Sequence, residues 1–150
     1  MIVALAFVTS PLLISYPLTA TGLTPGIEAF ADELRRAGHG VHVPDLFHGR
    51  RFPTIDEGLA YARTEGFGTL AQRGLDAAED LPLAMVYAGF SFGVIPAQQL
   101  AQTRPGARGA LLFESCLPVS EFSEAWPARV PVQIHGMEDD TVVAHEDDLE

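Results

Sequence analysis

The sequence has 150 residues, of which 47% are hydrophobic and 19% are charged. This is enough apolar material for one domain with a sizeable core, and it excludes a disordered chain. Nine basic residues stand against 20 acidic ones, and the net charge of -11 argues against nucleic acid and anionic membranes as partners. Cys116 is the only cysteine, so an intrachain disulfide is excluded and a reducing, cytoplasmic location is expected.

The first 27 residues carry no charged side chain, and an export signal and a membrane span are the alternative interpretations of this run. A signal peptide begins with basic residues, whereas the first arginine here is Arg35. Polar residues and a proline at positions 9–11 interrupt the apolar run, which is therefore too short to cross a bilayer. We predict two strands of a buried sheet instead, at residues 2–8 and 12–16.

Helical and strand-like patterns alternate along the rest of the chain. Pro25 is suited to the first position of a helix that Gly38 closes, and Thr54 and Glu57 have the spacing of a capping box. Predicted helices cover residues 25–37, 54–65, 69–79 and 94–103, and predicted strands cover residues 40–44, 83–88, 110–113 and 130–135. This alternation predicts a single α/β domain over residues 1–150, with a mostly parallel sheet and helices on both faces.

The strongest chemical signal is the sequence Gly-Phe-Ser-Phe-Gly at residues 89–93. A G-x-S-x-G sequence between an apolar strand and a helix is typical of a nucleophile elbow, in which a strained turn lifts the serine hydroxyl above the sheet. The glycines are needed because the incoming strand and the outgoing helix nearly touch. We therefore predict Ser91 as a nucleophile and the Phe92 N–H, at the helix start, as an oxyanion donor.

A serine nucleophile needs a base, and the base needs an acid that orients it. The acid is expected after a later strand, in the order serine, acid, histidine. Asp140, which precedes an apolar pair after the strand at residues 130–135, is the first candidate, and Asp139 is the second. A capping acid on a surface loop is the alternative interpretation of either residue.

Four segments in this order resemble the dienelactone hydrolase family of α/β hydrolases. They are Gly-Leu-Thr-Pro-Gly at 22–26, Pro-Asp-Leu-Phe at 44–47, the turn that holds Ser91, and Ile-His-Gly-Met-Glu-Asp-Asp at 134–140. The resemblance runs through most of the chain from about residue 13. It implies an α/β-hydrolase fold, and it implies that Ser91 is the nucleophile and Asp140 the acid of a catalytic triad.

The resemblance also implies differences from dienelactone hydrolase itself. That enzyme has a cysteine where this chain has Ser91, and a glutamate tied to the resting nucleophile where this chain has Thr19. Dienelactone is therefore not the expected substrate. The loop at residues 19–22 is expected to supply the second oxyanion donor, the Ala20 N–H.

The family's catalytic histidine lies one helix and one strand beyond the acid, whereas the sequence ends at Glu150. We therefore expect a chain that lacks the last strand and the C-terminal helix of the fold. We also expect it to associate through the exposed sheet edge, with itself or with the missing segment. His48 and His145 are the alternatives for the base within these residues. His135 is expected to be structural, and His39 and His42 come too early in the chain.

Several other side chains are weaker candidates for the site. Arg50 and Arg51 follow a strand and suit a carboxylate ligand, although a solvated loop is the preferred interpretation. Glu114 and Ser115 end a strand at the same edge and are candidates for the pocket lining. The remaining expectations are lid or packing roles for Phe122 and Trp126, and a small buried apolar role for Cys116.

Together these observations predict a hydrolase of small carboxylic esters or lactones that works through an acyl-enzyme. No metal site is expected, because the histidine spacings match no zinc pattern and the acidic C-terminal residues lack the calcium-loop spacing. No cofactor is expected either. The alternative is a catalytically incomplete remnant of the fold that acts as a binding or interaction domain.

Overall fold

The sheet in the described part of the chain consists of five strands. A computed structural model describes residues 12–15, 22 and 25–136. Its strands are β1 (Leu12–Ser15), β2 (Val41–His42), β3 (Val86–Phe90), β4 (Gly109–Phe113) and β5 (Val132–His135), and their spatial order is β2-β1-β3-β4-β5. Every pairing between these strands is parallel. The predicted α/β class with a parallel sheet is confirmed, and the strand predicted at residues 2–8 lies outside the described residues.

The helices begin and end where local signals place them. They are α1 (Pro25–Arg36), α2 (Ile55–Glu65), α3 (Phe67–Asp76) and α4 (Val94–Thr103). The Thr54 hydroxyl oxygen accepts a hydrogen bond from the Glu57 N–H at 3.3 Å, which is the cap predicted for α2. Glu28 in the first turn of α1 and arginines in its last turn complement the helix dipole.

Helices cover both faces of the sheet, as predicted. Successive residues of a strand point to opposite faces, so Tyr87 and Leu112 pack with α4 while Ala88 and Leu111 pack with α1. On the α4 side, helix residues such as Ala97 are completely buried. A third cluster joins α2 and α3 to the loop after β2, and it consists of Leu46, Phe47, Ala62 and Leu70. Apolar contact on both faces explains why the strands are continuous apolar runs.

Several predicted elements have different bounds in the structure, and three of them differ at both ends. The strand predicted at residues 40–44 is only Val41–His42, which pairs with two residues of β1. The strand predicted at residues 83–88 begins at Val86, because Leu83 is 55% exposed, and it extends to Phe90 by pairing with β4. The helix predicted at residues 69–79 is Phe67–Asp76, since it starts directly after Gly66.

Among the described strands, β2 and β5 lie at the two edges of the sheet. Val132 and Ile134 on β5 are 37% and 40% exposed. The predicted self-association through a sheet edge stays a prediction. Within the described residues, no helix combines the length and the apolar character that crossing a membrane requires.

The buried phenol of Tyr87 gives an alkaline limit to stability. Burial raises the pKa of Tyr87 above its ordinary value of 10.0, and a hydrogen bond from Arg104 lowers it in part. Above about pH 10 the unfolded chain loses the phenol proton of Tyr87, whereas the folded chain, with its raised pKa, still keeps it. The free energy of unfolding should therefore fall as pH rises, by up to about 1.4 kcal/mol per pH unit.

Urea unfolding midpoints measured from about pH 9 to about pH 11 check this expectation. The chain has no lysine, so few other groups titrate in this range. The Tyr87→Phe variant should start less stable, because the Arg104 guanidinium loses its acceptor at 3.1 Å, but it should decline less with pH. An equally steep decline in parent and variant would assign the alkaline limit to another group.

Candidate functional site

The order in which strands are added to the sheet reverses at one place, beside β1. The chain adds β2 to one side of β1 and then β3 to its other side, with β4 and β5 following outward. In open α/β sheets, ligands bind outside the carboxyl ends of the strands where the order reverses in this way. Ser91 directly follows β3, so the structure places the predicted nucleophile at this switch point.

The backbone of Ser91 is in the left-handed region, with φ at 49°. This conformation costs a non-glycine residue roughly 1–2 kcal/mol. Phe90 before it is extended, with φ at -118° and ψ at 131°, and a short 3-10 turn over Ser91–Gly93 leads into α4. The tight turn between strand and helix that the sequence predicts is therefore present, and its strain falls on the serine.

The strand and the helix approach each other closely at this turn. A Cβ atom on Gly89 would lie 2.4 Å from the Gly93 carbonyl oxygen and 2.7 Å from the Val94 Cα. Both neighbours are backbone atoms, which cannot rotate away as a side chain can. The need for a glycine two residues before the serine, which the motif implies, thus has a direct steric cause.

Phe92 forms the apolar side of the turn. Its ring packs against the cluster around Leu46 and Phe47, and its centroid lies 5.2 Å from that of Phe67. Phe67 is 43% exposed at the first position of α3. The N–H of Phe92 belongs to the first turn of a helical segment, where amide groups have no intrahelical acceptor. This amide therefore suits the predicted oxyanion donor.

The loop after β2 is built around Asp45. Its carboxylate accepts hydrogen bonds from the N–H groups of Phe47 at 2.9 Å and Gly49 at 2.5 Å. His48 at the tip of this loop is exposed and left-handed, with φ at 54°. Gly22 packs against the same loop, because a Cβ there would lie 2.4 Å from the Arg50 carbonyl oxygen. Gly22 itself therefore lies against the loop after β2.

Both candidate arginines of that loop have partners. The Arg50 guanidinium lies 5.1 Å from the centre of the Tyr61 ring, within cation–π distance. Arg51 lies 3.8 Å from a Glu28 carboxylate oxygen, and both side chains are exposed. These contacts favour the solvated-loop interpretation of the two arginines over a carboxylate site.

The loop after β4 begins with a second strained residue. Glu114 has φ at 63°, and its N–H donates a hydrogen bond to the His135 carbonyl oxygen at 2.7 Å. The His135 ring stacks on Phe113 with centroids 5.0 Å apart, which fits its predicted structural role. Register pairs Phe90 with Phe113, so Ser91 and Glu114 follow the same rung of neighbouring strands.

Two buried glutamines of α4, which motif analysis missed, hold this loop in place. The Gln98 amide donates to the Leu117 carbonyl oxygen at 2.7 Å and accepts from the Leu117 N–H at 2.9 Å. Gln102 donates to the Val119 carbonyl oxygen at 2.9 Å and to the Ser123 hydroxyl at 2.6 Å. The available signal was a pair of amides four residues apart on an otherwise apolar helix.

The lesser candidates of this loop pack as expected. Cys116 and Trp126 are partly buried against the core on the α4 side of the sheet. The Trp126 indole N–H donates to the Val130 carbonyl oxygen at 2.6 Å. Ser115 and Phe122 are half-buried. No group of three or more metal-binding side chains occurs among the described residues.

Comparison with solved structures identifies the fold. The chain is similar to the crystal structure of a dienelactone hydrolase-like promiscuous phosphotriesterase from metagenomic libraries, with a TM-score of 0.65 and 22% identity. The chain has the α/β-hydrolase fold. The similarity covers 91% of this chain but only 60% of that protein, so the chain spans less than two-thirds of its length.

A second α/β-hydrolase structure agrees with the first. It is a hydrolase of the α/β superfamily from Xanthomonas campestris pv. campestris, with a TM-score of 0.57 and 21% identity over 93% of this chain and 78% of that one. No protein-family model and no curated protein matches the sequence. The α/β-hydrolase fold that the sequence resemblance implied is therefore confirmed by structure.

The structure describes only some of the predicted members of the site. Thr19 and Ala20 after β1, and Asp139, Asp140 and His145 after β5, lie outside the described residues. The structure brings Ser91, Phe92 and Glu114 to one edge of the sheet, with His48 on the loop after β2. His39, by contrast, precedes β2, and His42 is the second residue of β2.

Proposed function

We propose that this α/β-hydrolase chain acts on small carboxylic esters or lactones through Ser91, as a serine variant of the dienelactone hydrolase family. The observation that carries the proposal is the left-handed Ser91 at the switch point, between an extended strand and a helix packed too tightly for a side chain at Gly89. A strained serine in this position presents its hydroxyl at the start of a helix, where negative charge is stabilised.

The reaction follows from these placements. The Ser91 oxygen attacks the carbonyl carbon of the ester while a histidine accepts the hydroxyl proton. The N–H groups of Phe92 and Ala20 donate hydrogen bonds to the oxyanion of the tetrahedral intermediate. Collapse of the intermediate breaks the bond to the leaving alcohol, which takes the proton from the histidine, and water then hydrolyses the acyl-enzyme by the same steps.

Asp140 is our first candidate for the acid that orients the histidine, with Asp139 second. In the order of the family the histidine follows the acid, and within the residues of this sequence His145 and His48 are the candidates for the base. The resemblance in sequence, the switch-point position of Ser91 and the likeness to α/β-hydrolase structures support this assignment. The reaction requires no metal or cofactor.

Labelling with a fluorophosphonate tests the proposal, because this probe reacts only with an activated serine. We expect intact mass spectrometry to show one adduct on the 16.1-kDa chain and none on the Ser91→Ala variant. Ser115→Ala is the matched control, since Ser115 follows the neighbouring strand, and it should label like the parent. An adduct that persists in Ser91→Ala would assign the nucleophile to another residue, and an unlabelled parent chain would overturn the proposal that this chain is an enzyme by itself, leaving an incomplete hydrolase or a binding remnant.

A further inference from the structure

Glu114 is the charged side chain nearest in register to the proposed nucleophile. It directly follows β4 as Ser91 directly follows β3, and the preceding residues, Phe90 and Phe113, are paired. Neighbouring parallel strands lie about 4.8 Å apart. Both residues have a left-handed backbone, with φ at 49° for Ser91 and 63° for Glu114.

Hydrogen bonds at Glu114 itself and at Leu117, three residues later, hold the backbone of this segment. Upstream, the Glu114 N–H donates to the His135 carbonyl oxygen of β5 at 2.7 Å. Downstream, Gln98, which is 1% exposed, bonds both backbone polar groups of Leu117. Gln98 belongs to the helix that starts at the Ser91 turn. The same buried amide thus ties the loop that bears Glu114 to the helix that bears the nucleophile.

The charge of Glu114 is not balanced by the described residues. Its carboxylate is exposed and forms no ion pair or side-chain hydrogen bond within residues 25–136. The charged groups across the sheet edge are otherwise engaged: Arg51 lies 3.8 Å from Glu28, and Arg50 lies over the Tyr61 ring. The Asp45 carboxylate accepts two backbone N–H groups of its own loop.

We propose that Glu114 sets the charge preference of the site, so that it favours esters bearing a positive charge over neutral ones of the same shape and disfavours carboxylate-bearing ones. This inference rests on the proposed function of Ser91 and names the substrate class of that site. A carboxylate beside the nucleophile attracts a cationic group of a bound ester, and the solvent that reaches the exposed Glu114 weakens this attraction without removing it. The net charge of -11 on the whole chain also attracts cationic ligands and repels anionic ones.

Two thioesters of equal shape test the proposal: acetylthiocholine, which is cationic, and S-(3,3-dimethylbutyl) thioacetate, which is its neutral isostere. We expect the parent chain to show a kcat/KM about fivefold higher for the cationic ester at low salt. In Glu114→Gln the ratio should fall to about one, and salt at about 0.5 M should lower the parent's ratio in the same direction.

Two further variants control for the backbone conformation of Glu114 and for the loss of a different charge from the same loop. Glu114→Asn removes the charge with a residue that tolerates the left-handed backbone, and it should give the same ratio as Glu114→Gln. Glu121→Gln removes an exposed charge from the same loop, away from the end of β4, and it should keep the parent's ratio. A ratio that is unchanged in both Glu114 variants, including an equal loss on both esters, overturns the inference.

The same measurements distinguish failure of the proposed function from failure of the charge preference alone. If Ser91→Ala hydrolyses the neutral thioester like the parent, the nucleophile is misassigned and the proposed function falls. If hydrolysis depends on Ser91 but the ratio does not depend on Glu114, only the charge preference falls. A chain inert toward both esters overturns both.

Discussion

Replacing Gly89 with alanine should destabilise the chain by about 3 kcal/mol or more, which is the upper range for overpacking a well-ordered site. The added Cβ would lie 2.4 Å from the Gly93 carbonyl oxygen and 2.6 Å from the Gly93 carbonyl carbon. These atoms belong to the first turn before α4, which packs on β3 and β4. Relief therefore requires the helix to move off the sheet, and contacts of residues such as Val94 and Ala97 weaken with it.

Gly68→Ala is the matched control for this substitution. Gly68 lies in α3, is exposed, and a Cβ built on it meets no atom within 4 Å. Alanine in a helix is more favourable than glycine by about 0.5–1 kcal/mol, so this variant should be slightly more stable than the parent. Urea unfolding measures both changes. A Gly89→Ala variant within about 1 kcal/mol of the parent would mean that the strand and the helix are farther apart at this turn.

The elements with strong local signals were predicted accurately. The helix at residues 94–103 has the predicted bounds, because it begins after a glycine turn and ends before a proline-containing turn. The start of α2 follows from its cap, since the Thr54 hydroxyl satisfies an amide within the same four residues. Local interactions of this kind need no knowledge of the rest of the fold.

Elements whose ends depend on partners distant in sequence were predicted less well. Phe90 joins β3 because its backbone pairs with Phe113 of β4, whereas Leu83 pairs with no strand among the described residues. The strand β2 is reduced to two residues for the same reason, since β1 pairs with only Val41 and His42. Apolar pattern alone shows that a strand exists, whereas the sheet decides where it stops.

The candidate site shows the same division. The motif around Ser91 predicts a tight strand-to-helix turn, and the structure has it, with the expected steric demand at Gly89. No sequence motif indicated the left-handed backbone of Glu114. The N–H of this residue donates a hydrogen bond to the His135 carbonyl oxygen of β5, and this partner is distant in sequence. The role of Gln98 depends on a contact with Leu117, 19 residues away, and for the same reason it could not be predicted from the sequence.

Replacing Gln98 with methionine should lower the free energy of unfolding by about 2–4 kcal/mol. Methionine has a similar volume, so packing in the core is nearly preserved. The substitution removes the partners of the Leu117 N–H and carbonyl groups, which lie 2.9 Å and 2.7 Å from the Gln98 amide. Each buried polar group left without a partner costs about 1–3 kcal/mol. The loop after β4, including Glu114, should also lose its fixed position.

Gln99→Met provides the control, because Gln99 is the next residue of the same helix but is only half-buried and its side chain forms no hydrogen bond within the described residues. Its stability should stay within about 0.5 kcal/mol of the parent. Gln98→Glu separates the two bonds, since a carboxylate still accepts from the Leu117 N–H but repels the Leu117 carbonyl oxygen. It should be less stable than Gln98→Met, because a buried charge adds its desolvation to the lost bond. If Gln98→Met and Gln99→Met unfold at the same urea concentration, hydration of Leu117 replaces the amide at no net cost, and the tie between α4 and the loop after β4 is not what orders Glu114.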